Sequence, residues 1–206
     1  MSDIAKFIES LRNANVLKVE ETRNVYMGDN IESQIRRHNL NLYLNYMKIQ
    51  KPKILLVGEA PGYNGCGLTG IPFTSEYILA NNPFFANHEF QYINEKHQKG
   101  KSATVVWKCL GKHESKPLIW NIFPFHPHKK GNYKSNRPPN RDEINFGREF
   151  LSDLLDIFSI QQIVAVGKKA ESGLKGSGLS YQHIKHPAID HKGEFNIGID
   201  KIMNEL

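Results

Sequence analysis

A short apolar run, Ile54-Leu55-Leu56-Val57, follows Lys51-Pro52-Lys53 and stops abruptly at Gly58-Glu59-Ala60-Pro61-Gly62. Continuous apolar residues without polar alternation suit a strand covered on both faces, the normal condition of a parallel sheet. The glycines and proline that follow allow neither strand nor helix to continue. Open α/β sheets carry their chemistry in such turns, at the carboxyl ends of buried strands. Gly58 and Gly62 let a ligand approach the backbone closely, and Glu59 is then held at the mouth of a cleft. The plainer alternative is a turn whose glutamate is merely solvated.

The same alternation recurs along the chain. Lys116–Phe125 (KPLIWNIFPF), Ile160–Gly167 (IQQIVAVG) and Tyr181–His186 read as three further strands. Apolar residues at helical spacing predict helices over 3–22, 30–46, 142–158, 168–174 and 195–205. Residues 102–110 are β-branched in character. Even so, Val106, Cys109 and Leu110 repeat at three and four, Ser102 can cap and Gly111 can stop, so a short helix is expected. Residues 58–73, with five glycines, form a long irregular loop, and the basic, proline-containing stretch 126–141 forms a second. Residues 74–99 are aromatic but without a clear period. Strands alternating with helices predict an α/β fold: a three-layer α/β/α sandwich around a four-stranded parallel sheet with right-handed crossovers. A single domain over 1–206 is expected, with 1–50 as an N-terminal helical part.

Lys and Arg number 27 against 21 Asp and Glu, a net charge of +6 that is compatible with a polyanionic partner. No apolar run approaches the roughly 20 residues that span a bilayer, and the amino terminus lacks the apolar core of a signal peptide. Two cysteines, Cys66 and Cys109, supply neither a disulfide framework nor a four-cysteine metal cluster. A reduced, cytoplasmic protein is the expectation.

Four loops leave the carboxyl ends of the predicted strands, and their contents share a theme. The first holds Glu59 and Phe73, and the second holds Asn121, His126, His128, Lys129, Lys130, Lys134, Arg137 and Arg141. The third holds Lys168 and Lys169, and the fourth His186, His191 and Lys192. A basic rim suits phosphates. An Asn amide offers a donor and an acceptor to the edge of a base, and a Phe on a glycine loop can stack on it. His126-Pro127-His128 has no carboxylate or cysteine at ligand spacing, so no metal site is expected. Singly, Lys168-Lys169 reads as a solvated helix start, Phe73 as core and Asn121 as a strand cap.

Taken in order, these segments resemble the uracil-DNA glycosylase superfamily, most closely its branch with GEAPG-type first motifs. The resemblance rests on Gly58-Glu-Ala-Pro-Gly62 continuing to Gly70-Ile-Pro-Phe73, on Trp120-Asn121-Ile-Phe-Pro124 with Asn136-Arg-Pro-Pro-Asn-Arg141, and on His186-Pro187-Ala188. Val164-Ala-Val-Gly167 followed by Ala170 is similar to the family's penultimate strand, and the likeness covers roughly 53–206.

The resemblance implies an enzyme that flips a damaged base, most naturally uracil, out of DNA and hydrolyses its N-glycosidic bond. It makes Glu59 the residue that orients or activates the attacking water and offsets charge on the sugar. Phe73 stacks on the base, Asn121 reads its edge, and Gly58 and Tyr63 complete the base pocket. His186 donates a hydrogen bond to the departing base. Arg137, Arg141, Lys168 and Lys185 become phosphate contacts, and Ile189 a wedge into the vacated stack. The partner implied is uracil-containing DNA, single- or double-stranded, met by a monomer that needs no cofactor and no membrane. Two departures stand out. The branch usually carries an acidic pair after the motif and four cysteines holding an iron–sulfur cluster. Here the loop reads Tyr63-Asn64-Gly65-Cys66-Gly67, one residue longer, and two cysteines are present. The alternatives are a nucleic-acid-binding relative without glycosylase chemistry, favoured by that altered loop, and a nucleotide-handling α/β enzyme. The absence of a Walker lysine motif or dinucleotide fingerprint argues against the latter.

Overall fold

The computed structural model describes residues 1–16, 18, 20–189 and 193–205, without the side chain of Ile189. In chain order the elements are α1 (Asp3–Asn13), β1 (Thr22–Arg23), α2 (Ile31–Gln50), β2 (Ile54–Gly58), α3 (Cys66–Thr69), α4 (Glu76–Asn81) and α5 (Lys101–Leu110). There follow β3 (Leu118–Asn121), β4 (His126–Pro127), α6 (Arg141–Ile157), β5 (Gln162–Val166), α7 (Lys168–Leu174), β6 (Gln182–Ile184) and α8 (Glu194–Asn204).

Strands β3-β2-β5-β6 form one parallel sheet, and β1 pairs antiparallel with β4 beside it. Every residue of β2 and β3 is buried, as their unbroken apolar composition requires. Right-handed crossovers put α5 on one face and α6 and α7 on the other. Helix α5 packs on α8, and α1 packs on α6. The predicted α/β architecture and four parallel strands are therefore present.

Three segments differ from expectation for identifiable reasons. The first helix stops at Asn13 rather than running to 22, because the Asn24 amide donates to the carbonyls of Leu11 and Ala14 and closes its end. The second predicted strand, β3, ends at Asn121, although the apolar run continues to Phe125. Residues 122 and 123 instead follow the turn after β2, where Ile122 N–H donates to Gly58 O (2.8 Å) and Phe123 N–H to Glu59 O (3.1 Å). The stretch 74–99 contains α4 and a turn of 3₁₀ helix, after which Glu76 takes over. Its buried carboxylate accepts from the backbone N–H groups of Ile93, Asn94 and Gln98 and from the Asn94 amide. One acid thus satisfies the donors of a segment without regular structure.

The amino-terminal helices are a scaffold for the glycine loop. Arg36 on α2 is fully buried, and its guanidinium donates to Gly67 O (2.7 Å), Val25 O (3.3 Å) and Glu32 (2.9 Å). Asn39, one turn on, donates to Thr69 O and Gln91 O and accepts from Gln91 N–H. Buried polar groups persist in a helix when each is satisfied. Two of the partners, Gly67 O and Thr69 O, are carbonyls of the loop that follows β2.

Candidate active site

In the sheet order β3-β2-β5-β6, the chain leaves β2 toward one side and β5 toward the other. The crevice between their carboxyl ends is the switch point at which open α/β sheets bind ligands. A cleft of about 480 Å³ opens there, lined by Glu59, Gly62, Asn64, Phe73, Asn121 and His186, and on the far side by residues 99–103 at the start of α5.

Strand register brings the first pair together. Gly58 and Asn121 are direct partners across β2 and β3. A Cβ at Gly58 would lie 2.5 Å from Phe73 Cε2 and 2.6 Å from Asn121 Oδ1, so only glycine lets the ring and the amide close over this strand end. The Asn121 side chain is buried, and its amide has no hydrogen-bond partner among the described residues. Phe73 adopts φ +50°, a left-handed conformation that costs a non-glycine residue about 1–2 kcal/mol. Trp107 on α5 holds it there by donating from Nε1 to Phe73 O at 3.1 Å. The half-buried Phe73 ring stands 6.1 Å from that of His186.

Glu59 is the electrostatic focus of the cleft. Among the described residues its buried Oε1 has no hydrogen-bond partner, and the nearest cation is Lys169 Nζ at 3.6 Å. That separation is beyond hydrogen-bonding range, so the attraction is Coulombic. Burial pushes the carboxyl upward, and the Lys169 charge opposes it, with a net rise. His186 follows β6. Its Nδ1 accepts from Ala188 N–H (3.1 Å), which leaves Nε2 as the protonated nitrogen of a neutral ring. Burial, with a lesser contribution from Lys169, pushes the imidazole downward, so the neutral form is favoured. Gly167, at φ +86°, admits this histidine, since a Cβ there would meet His186 Cβ at 2.8 Å.

The structure brings Glu59, Gly58, Phe73, Asn121 and His186 together, and it redistributes the other expected residues. Tyr63 does not line the cleft. It is 39% exposed and faces a neighbouring groove with Arg23, Tyr133 and Lys134, while Asn64 turns to the cleft instead. Arg137, expected as a phosphate contact, stands at the cleft with its guanidinium held in a structural network. Its guanidinium forks onto both carboxylate oxygens of Glu143 (2.7 Å each) and donates to the carbonyls of Glu21, His128 and Pro138 and to Thr22. Arg141, Lys168 and Lys185 are exposed, and none lines the cleft. The Ile189 side chain, His191 and Lys192 lie outside the described residues.

His126 and His128 are loop staples. Both ring nitrogens of His126 face carbonyls, Nδ1 that of Pro61 (2.8 Å) and Nε2 that of Tyr133 (3.0 Å), tying the two site loops together. His128 Nδ1 sits 2.9 Å from Lys129 O. The residues present do not fit an iron–sulfur cluster either. Only two cysteines exist, and burial pushes the Cys66 thiol, beside Tyr26, up to about 12. The sequence motifs place Lys169 in the third site loop without distinguishing it from Lys168, and they do not single out Asn64 or residues 99–103. The Lys99-Gly100-Lys101 run directly before α5 was the available signal for the last.

These features define a cleft with a carboxylate, an amide, a ring and a neutral imidazole at the switch point of an α/β sheet. A family model, Uracil DNA glycosylase superfamily, matches residues 44–197, and the chain belongs to that superfamily. Among solved structures, the wild-type crystal structure of Pedobacter heparinus SMUG2 superposes with a TM-score of 0.69 at 17% identity, covering 100% of this chain and 97% of the other. That likeness is one of fold. No match is found among curated proteins.

Proposed function

We propose that this protein is a monofunctional DNA glycosylase that hydrolyses the N-glycosidic bond of uracil flipped out of DNA. The observation that carries the reading is the convergence of Glu59, Phe73, Asn121 and His186 on one cleft. In this reading the flipped base stacks on the Phe73 ring and pairs its edge with the unpartnered Asn121 amide. Glu59 accepts a hydrogen bond from a water placed below the sugar, and its negative charge offsets the positive charge that grows as the bond to the base lengthens. The water oxygen bonds to C1′, the glycosidic bonding pair leaves with the base, and the water's proton is released. His186, neutral with a proton on Nε2, donates to the carbonyl oxygen of the departing anionic base. A neutral donor suits this task, because it stabilises the developing charge without first having to capture a proton. The basic rim of Arg141, Lys168 and Lys185 is proposed to meet the phosphates.

The deciding experiment is base release from a labelled oligonucleotide carrying one uracil, single-stranded or opposite guanine, with wild type and Glu59→Gln. Alkali-sensitive cleavage by wild type alone supports both the reaction and the role of Glu59. Equal cleavage by both keeps the reaction and removes Glu59 from it. No release of uracil, hypoxanthine, xanthine or mismatched thymine, with salt-dependent DNA binding intact, makes the chain a binding protein instead.

A further inference from the structure

Lys169 stands in the first turn of α7, directly after the Gly167 turn that admits His186. Its side chain is 65% exposed, and ion pairs that open to solvent contribute little to folding. Yet it is the one cation within ion-pairing distance of Glu59 among the described residues. We propose that Lys169 is a positioning residue of the glycosylase centre: its ammonium, 3.6 Å from Glu59 Oε1, keeps that carboxylate aimed and anionic.

The inference rests on the glycosylase reading, and its geometry is independent of which base is removed. Glu59 Oε1 is buried, and among the described residues no neutral donor bonds to it. The other ionisable groups around the cleft are committed elsewhere, carry no charge or lie out in solvent. Arg137 is forked onto Glu143, and the Lys99 ammonium lies over the Tyr77 ring at 4.4 Å. Cys66 is a buried thiol beside Tyr26, and Lys101 is exposed at the start of α5. The neighbouring Lys168 is exposed and makes no ion pair with Glu59. One ammonium therefore acts on both reacting groups, attracting the anion of Glu59 and repelling the cation of His186. DNA seated over the cleft expels water, which strengthens both effects where they are needed.

The sign of the consequence is fixed. Without the ammonium, burial acts unopposed on Glu59 and its titration midpoint rises. The His186 cation also loses a repulsion, so the imidazole midpoint rises too. Both changes move the acid limb of the rate profile to higher pH.

The test uses Lys169→Met and Lys169→Arg in the full chain. Carbon-13 NMR of the labelled Glu59 carboxyl and nitrogen-15 NMR of the His186 ring read the two midpoints in the free protein. Base release from the uracil oligonucleotide is followed across pH in parallel. The expected result is that both midpoints move up in K169M and stay near wild type in K169R. In K169M, kcat falls several-fold at the acid end, recovers toward the alkaline end, and KM changes little. Unmoved midpoints overturn the proposal. So does a pH-independent rise in KM with a weaker salt dependence, which marks a phosphate contact. Should wild type release no base at all, the glycosylase reading falls while the NMR arm still decides whether Lys169 sets these charge states.

Discussion

Arg137 and Glu143 form a two-pronged ion pair, Nη1 to Oε2 and Nη2 to Oε1, each at 2.7 Å, at the amino-terminal end of α6. Glu143 also accepts from Thr22 and from Asn140 N–H, so it joins β1, the second site loop and a capping box in one buried network. Removing the arginine strands a buried carboxylate, which typically costs about 3–5 kcal/mol. Arg137→Met is therefore expected to lower the unfolding free energy, read from urea denaturation, by an amount near the low end of that range. A variant that unfolds like wild type but binds DNA more weakly would return Arg137 to the phosphate contacts.

The same pair makes the protein sensitive to acid. Burial alone pushes the Glu143 carboxyl up, but the hydrogen bonds from Arg137, Thr22 and Asn140 together with the Arg137 charge outweigh it and hold the group below the usual carboxylate range. A carboxyl depressed in the native state adds stability above its unfolded value, and that stability is lost as pH falls through the native one. The penalty of Arg137→Met is thus expected to be largest at neutral pH and to shrink toward about pH 4, where carboxylates protonate. Urea unfolding of both proteins across this range checks it. A penalty constant with pH would show that packing, not charge, is lost.

What was legible in the sequence was whatever local composition fixes. The apolar run before Gly58, bounded by Pro52 and the Gly/Pro turn, reads as a buried strand, and Gly58, Asn121 and His186 fall at or just after strand ends because the alternation of elements puts them there. Side-chain destinations set by distant partners were not legible. Arg137 reads as a free cation until Glu143 and the carbonyls of Glu21 and His128 are placed around it. The early end of α1 depends on Asn24, and the path of residues 91–98 on the single carboxylate of Glu76. Lys168 and Lys169 are equivalent in sequence, and only the angle at which α7 leaves Gly167 gives Glu59 the second of them.

Trp107 offers a way to loosen the stacking ring without touching the cleft. It is 2% exposed, packs against Phe84 and Phe85, and its indole N–H fixes the carbonyl of Phe73. Trp107→Phe keeps a ring in the core but removes that donor, at about 1 kcal/mol for the hydrogen bond. Phe73 then has less to hold it at φ +50°. The expected outcome is a folded protein with a modestly reduced unfolding midpoint and a raised KM for the uracil oligonucleotide. An unchanged KM would mean that the loop, not the indole, holds the ring.

Gly58→Ala tests the geometry of the base site most directly. The glycine is the last residue of β2, buried between Asn121 and the Phe73 ring, and its φ is one that alanine tolerates, so backbone conformation is not at issue. The added methyl would stand 2.5 Å from Phe73 Cε2 and 2.6 Å from Asn121 Oδ1, inside any permitted contact. Both neighbours are side chains at the edge of an open cleft, so they yield before the sheet does. The ring and the amide move apart, and the slot between them no longer matches a flat base. A displacement of this size at a reacting site typically costs about a hundredfold in rate. Gly58→Ala is therefore expected to retain most of its unfolding free energy and its salt-dependent DNA affinity, while single-turnover base release slows by about that factor. Full activity would show that Phe73 and Asn121 do not grip the base from the positions they occupy here. Loss of folding together with activity would place the glycine in the core rather than in the site.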